Sequence, residues 1–121
     1  MKIVVGGQID KQIIADMASS IGKEMVTVSI MGDIQAAMEV KNGQADIYLG
    51  ACNTGGGGAL SMAIALLGMD QCATLSMPGS IKTDSEIAAE IAAGKKAFGF
   101  TSQHIDKIMP VLMENLLAKT K

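Results

Sequence analysis

The sequence predicts an α/β fold: three layers, α/β/α, with a five-stranded parallel sheet, Rossmann-like, and the first and third strands adjacent. Three observations predict it. Apolar, strand-like runs alternate with helix-periodic runs five times along the chain. Glycine, Asn-Gly or a capping residue stands at most of the changeovers. The longest glycine run falls directly between a strand-like and a helix-like segment, the position at which open sheets hold ligands. A chain of 121 residues is large enough for one core but not for two, so residues 1–121 read as a single α/β domain.

The first strand covers residues 2–7 and ends in Gly6-Gly7. Residues 8–21 place Ile9, Ile13, Met17 and Ile21 at helical spacing, with Gly22 as the C-terminal stop. Residues 25–31 alternate as a second strand. Gly32-Asp33 opens a helix to about Lys41, with Ile34, Ala37 and Met38 inward and Asn42-Gly43 at its end. A third strand spans 45–51, and the helix after it begins at Ala59. The fourth strand is 71–76, followed by a loop from Met77 to Lys82. Thr83-Asp84-Ser85-Glu86 is a capping box for a helix stopping at Gly94. The fifth strand is 96–101. The last helix carries Ile105, Ile108, Met109, Leu112 and Leu116 on one stripe, with Pro110 expected to kink or restart it.

The informative stretch is Cys52-Asn53-Thr54-Gly55-Gly56-Gly57-Gly58. Glycines let backbone N–H groups converge, and the helix that follows adds its own unpaired N–H groups and the positive end of its dipole. Four consecutive glycines are more than a turn needs. An anionic, phosphorylated or carboxylated metabolite is therefore expected on Asn53, Thr54, Gly55, Gly56, Gly57 and Gly58. The other strand ends on the same edge add Gly7, Gln8, Ser80, Lys82, Ser102 and His104 as ligand-binding candidates. Three of these have a plainer reading: Gly7, with Gly6, as a tight turn, Lys82 as a solvated cation, His104 as a surface or capping residue. Cys52 and Thr54 are the candidate catalytic residues. Cys52 next to a helix N-terminus has the setting that lowers a thiol pKa, though a small buried strand-end residue is the plainer account.

Composition narrows the chemistry. All ten basic residues are lysine, so an anion must be held by backbone amides, hydroxyls or lysine charges, without a guanidinium fork. A net charge of −2 gives no reason to expect nucleic acid, and Tyr48, Phe98 and Phe100 are too few for base stacking. No apolar run approaches the ~20 residues of a membrane span. No membrane insertion, no cofactor and no metal are expected, since a lone histidine makes no metal site. A cytoplasmic location is expected too. Cys52 and Cys72 fall at opposite ends of the sheet and should stay unbridged. The helix from Ala59 is apolar almost all round, which predicts a homodimer with that helix at or near the interface.

Two nucleotide motifs fail. The Walker pattern needs Lys and Ser/Thr where Ala59 and Leu60 stand, and the dinucleotide fingerprint belongs after the first strand, not the third. A third pattern fits better. Asp46, the strand Ile47 to Ala51 and Cys52-Asn53-Thr54-Gly55-Gly56-Gly57 resemble the ribose-5-phosphate isomerase B and galactose-6-phosphate isomerase group. That resemblance implies a proton-transferring thiol at Cys52, a polar hydroxyl at Thr54 and oxygen-stabilising amides at Gly55 to Gly58. The chain departs from the group at Gly7-Gln8, where an Asp-His pair stands, at Met77-Pro78-Gly79, where a histidine stands, and in lacking the arginines that grip phosphate. Over nearly its whole length the chain resembles an uncharacterised bacterial family of short α/β proteins, the YhfU-like family, through Gly50-Ala51-Cys52-Asn53-Thr54-Gly55 and Lys96-Ala97-Phe98-Gly99. That resemblance implies a place in carbohydrate or small-metabolite catabolism but no defined reaction. Three functions stay open: a metabolite-binding protein, a sugar-phosphate isomerase-like enzyme with Cys52 as base, and an oligomeric interaction or regulatory subunit.

Overall fold

The computed structural model of the chain describes residues 1–53 and 56–120. In chain order the elements are β1 (Lys2–Val5), α1 (Lys11–Gly22), β2 (Thr27–Ile30), α2 (Asp33–Lys41), β3 (Ile47–Cys52), α3 (Gly56–Leu67), β4 (Cys72–Thr74), β5 (Ser76–Met77), β6 (Ser80–Ile81), α4 (Asp84–Ala92), β7 (Ala97–Thr101) and α5 (Ile105–Thr120). Five strands form one parallel sheet in the order β2-β1-β3-β7-β4, so β1 and β3 are neighbours as predicted.

Alternation along the strands sorts side chains into two cores. Ile3, Val5, Leu49, Phe98 and Phe100 point to the face covered by α1, α4 and α5. Val4, Tyr48, Cys72 and Ala97 point to the face covered by α2 and α3. Each large apolar side chain fully buried there contributes about 1.5–3 kcal/mol, which makes the Phe98–Phe100 side the heavier core. On the other side Ala36 and Ala37 let α2 lie close to the sheet.

Several boundaries differ from the sequence reading, for physical reasons. Helix α1 starts at Lys11, not residue 8, because the amides of Gln8 and Ile9 donate to the Ala51 carbonyl at 3.0 and 3.3 Å. Helix α1 ends at Gly22, which keeps a helical backbone, and the positive φ falls on the next residue, Lys23, at φ 51°. Gly22 instead leaves room for Val26, whose methyl carbon would sit 2.5 Å from an added Cβ. Ile34 is 59 % exposed, off the buried line of Ala36, Ala37 and Val40. Pro110 lies inside α5 without restarting it; the amide it lacks would have bonded to the exposed Asp106, whose carbonyl water can serve. Helix α3 begins at Gly56, three residues before Ala59, so Gly56, Gly57 and Gly58 form its first turn.

The loop expected after the fourth strand is a hairpin. β5 and β6 pair antiparallel around Pro78-Gly79, where Gly79 takes φ 77° as such a turn requires. The capping box at Thr83 and Glu86 forms as predicted, with bonds of 2.9 and 3.2 Å. Cys52 and Cys72 are buried and not joined by a disulfide; β7 lies between their strands. Among the described residues no helix is long and apolar enough to cross a membrane.

Candidate functional site

The carboxyl ends of the parallel strands bring most of the predicted residues to one edge, in two groups divided by β3. On the β1 side, glycine allows three backbones and a ring to interleave. Gly7 takes φ 76°, and a Cβ there would lie 2.7 Å from the Ala51 nitrogen. A Cβ on Gly6 would meet the Tyr48 ring at 2.6 Å, and one on Gly50 would meet the Tyr48 hydroxyl at 3.0 Å. The tyrosine ring therefore runs toward the carboxyl edge over positions that have no side chain.

A buried phenol needs a hydrogen-bond partner, and Tyr48 finds one in Asp33, the first residue of α2. The hydroxyl donates to Asp33 Oδ1. The Gly7 N–H donates to the same carboxylate oxygen at 3.1 Å and to the tyrosine oxygen at 3.0 Å. Burial pushes the Tyr48 hydroxyl far above its ordinary pKa, and the hydrogen bond to Asp33 and then its charge add to that; the Gly7 amide opposes them. The hydroxyl thus remains a donor at every physiological pH. The predicted ligand residue Gly7 has its amide committed here, and Gln8 is exposed with its amide on Ala51.

On the other side of β3, Cys52 is fully buried and in register with Thr101 of β7. Both side chains fall on the α3 face by the alternation that puts Tyr48 and Ala97 there. Thr101 is 0 % exposed, and its hydroxyl has no hydrogen-bond partner among the described residues. Its amide donates to Ser76 Oγ at 2.9 Å, fastening the β5–β6 hairpin to the end of β7. Ser80 and Lys82 line a cleft of about 120 Å³ with Thr74, Leu75, Ser76 and Met77 beside that bond. Ser102 and His104 form the turn after Thr101, half-buried, and His104 Nδ1 is buried without a partner among the described residues. Asn53 is exposed at the end of β3. Gly56 to Gly58 stand just beyond, at the start of α3, whereas Thr54 and Gly55 lie outside the described residues.

The edge therefore joins Cys52, Asn53, Ser102, His104 and the start of α3, with Ser80 and Lys82 alongside. Sequence reasoning missed Asp33, Tyr48 and Thr101. A lone tyrosine in a fully buried strand was the available signal, since its hydroxyl must reach a polar partner. A larger cavity of about 430 Å³ opens at the opposite, amino edge, among Asp46, Ile47, Ile91, Lys95, Lys96, Leu116 and Lys119. It holds none of the glycine-loop residues, and two of its polar groups are already bonded: Asp46 accepts from the Lys2 amide, and Lys119 donates to the Ile91 carbonyl. Among the described residues no group of three or more His, Cys, Asp or Glu is arranged to hold a metal ion.

The similar proteins are themselves uncharacterised and name no reaction. Uncharacterised protein YhfU of Escherichia coli (strain K12) is 48 % identical over 89 residues, covering 74 % of this chain and 76 % of that protein. YhfU of Shigella flexneri matches to the same extent. No solved structure matches. The family model described as "Protein of unknown function DUF2620" matches residues 1–116, and the chain belongs to that family.

Proposed function

We propose that this protein binds an anionic small molecule, phosphorylated or carboxylated, where the end of β3, the first turn of α3 and the end of β7 meet. One observation carries the reading: the Thr101 hydroxyl is completely buried, without a partner among the described residues, and in register with Cys52 on the face covered by α3. A buried hydroxyl without a partner costs about 1–3 kcal/mol, a cost that a bound ligand oxygen removes. The first turn of a helix offers unpaired N–H groups and the favourable end of its dipole, and glycines at 56–58 leave them open to close approach. With no arginine in the chain, these amides are the principal anion grip, and Lys82 in the neighbouring cleft is a supporting charge.

The binding role fits small-metabolite catabolism in the cytoplasm. A catalytic version, with Cys52 as base in a sugar-phosphate isomerase-like reaction, has one observation in its favour. His104 Nδ1, buried and without a partner among the described residues, lies three residues beyond Thr101 and supplies a second acid–base side chain. A homodimer through α3 is favoured by Met62 of α3 and Ile34 of α2, which leave apolar surface exposed on two helices that pack together. Binding is tested by thermal shift of the full chain with inorganic phosphate and a panel of metabolite phosphates and carboxylates. Gly57→Val should abolish the shift while the protein stays folded. A panel in which nothing moves the melting temperature overturns the reading.

A further inference from the structure

The buried hydrogen bonds around Asp33 do more than join two loops. Both donors, the Tyr48 hydroxyl and the Gly7 amide, fall on Oδ1. Oδ2 has neither a hydrogen bond nor an ion pair among the described residues, although the side chain is only half exposed. Lys11, a cation on the same edge, gives its ammonium to the Met31 carbonyl at 3.0 Å. A carboxylate clamped on one oxygen and unfilled on the other is oriented for a donor from outside the chain. The clamp also keeps its sense. The tyrosine cannot ionise near neutral pH, so its hydroxyl stays a donor toward Asp33.

The position is close to the proposed anion cradle. Gly7, bonded to Asp33, packs directly on Gly50 and Ala51, and Cys52 is the next residue of β3. A ligand seated over the start of α3 with its anionic group would extend toward Asp33 with the rest of its body. A bare anion gains nothing there, because the carboxylate repels it. A ligand with a hydroxyl or ammonium group at that end gains a charge-assisted hydrogen bond.

We infer that Asp33, held by Tyr48 and Gly7, contacts the ligand and selects anions that also carry a hydrogen-bond donor, a hydroxyl or an ammonium group. This inference rests on the binding reading above. The test is calorimetry of the full chain with inorganic phosphate, glycerol 3-phosphate and phosphoethanolamine. At least one donor-bearing phosphate should bind about ten- to a hundredfold more tightly than inorganic phosphate, the range of a hydrogen bond to a charged group. Preference for glycerol 3-phosphate identifies a hydroxyl reader, and preference for phosphoethanolamine an ammonium reader.

Asp33→Asn keeps the Oδ1 acceptor and removes the charge. It should erase the preference while leaving inorganic phosphate bound as well or better, which also reports that the variant is folded. Tyr48→Phe, which loosens the clamp without touching Asp33, should reduce the preference and spare phosphate. Equal affinity for all three probes, or a preference that survives Asp33→Asn, overturns this inference and leaves the cradle intact. Failure of all three to bind overturns the cradle, and this inference with it.

Discussion

The two junctions of β3 with its neighbours are built from similar residues and end in opposite states. At the β1–β3 junction the glycines are filled spaces. Gly6, Gly7 and Gly50 admit the Tyr48 ring and each other's backbones, and the Gly7 amide, the Tyr48 hydroxyl and Asp33 Oδ1 bond to one another, leaving only the half-exposed Asp33 Oδ2 turned outward. At the β3–β7 junction the same sheet edge leaves Thr101 Oγ1 and His104 Nδ1 buried and, among the described residues, unpartnered. Glycine content alone does not separate a packing device from a binding device. Polar satisfaction does: where every donor and acceptor is used, close approach serves the fold, and where some are left over, it leaves work for a ligand.

The strongest way to break this contrast is at Gly7. Gly7→Ala should destabilise the protein by about 2–4 kcal/mol, combining a positive φ with a Cβ 2.7 Å from the Ala51 nitrogen. Chemical denaturation measures it, and a loss below ~1 kcal/mol would mean the junction is looser than described. Next, Tyr48→Phe should cost about 1–3 kcal/mol, because Asp33 loses its buried donor and the Gly7 amide loses one acceptor. The same deletion of a hydroxyl at the other junction has the opposite sign. Thr101→Val removes an unsatisfied group from an otherwise apolar position, so the unliganded protein should gain about 1 kcal/mol while its affinity for phosphate falls about five- to tenfold. Loss of stability in Thr101→Val would show that the hydroxyl is already satisfied.

The smallest effect lies away from both junctions. Thr83→Ala should lower the melting temperature by about 3 °C through loss of the α4 cap. The Thr83 backbone N–H, and then its hydroxyl, hold the Glu86 carboxyl below the ordinary range. A depressed carboxylate stabilises the fold above its unfolded pKa and loses that effect as pH falls through the folded one, so the cost of Thr83→Ala should shrink in acid.

The layer order, the adjacency of β1 and β3 and the α4 cap were legible because each is local: period-two runs, helical stripes and a four-residue box. So was the edge on which Cys52, Ser102, His104 and the start of α3 converge. Asp33 and Tyr48 were not, since they are fifteen residues apart and meet only once Gly6 and Gly50 vacate space on two different strands. The glycine run was read as a loop of four. In the folded chain three of those glycines open a helix, because the dipole and amides at a helix start tolerate glycine where a helix centre does not. Thr101 gave no signal at all; a threonine ending a strand is ordinary, and only its missing partner makes it informative.

The contrast is tested most directly by following every backbone amide of the full chain by NMR while inorganic phosphate is added. The account predicts shifts concentrated at Gly56 to Gly58, Cys52, Asn53 and Thr101 to His104, with the Gly7 and Gln8 amides unmoved because their hydrogen bonds are already made. Shifts centred on Lys95, Lys96 and Lys119 at the opposite edge, or none anywhere, would contradict it.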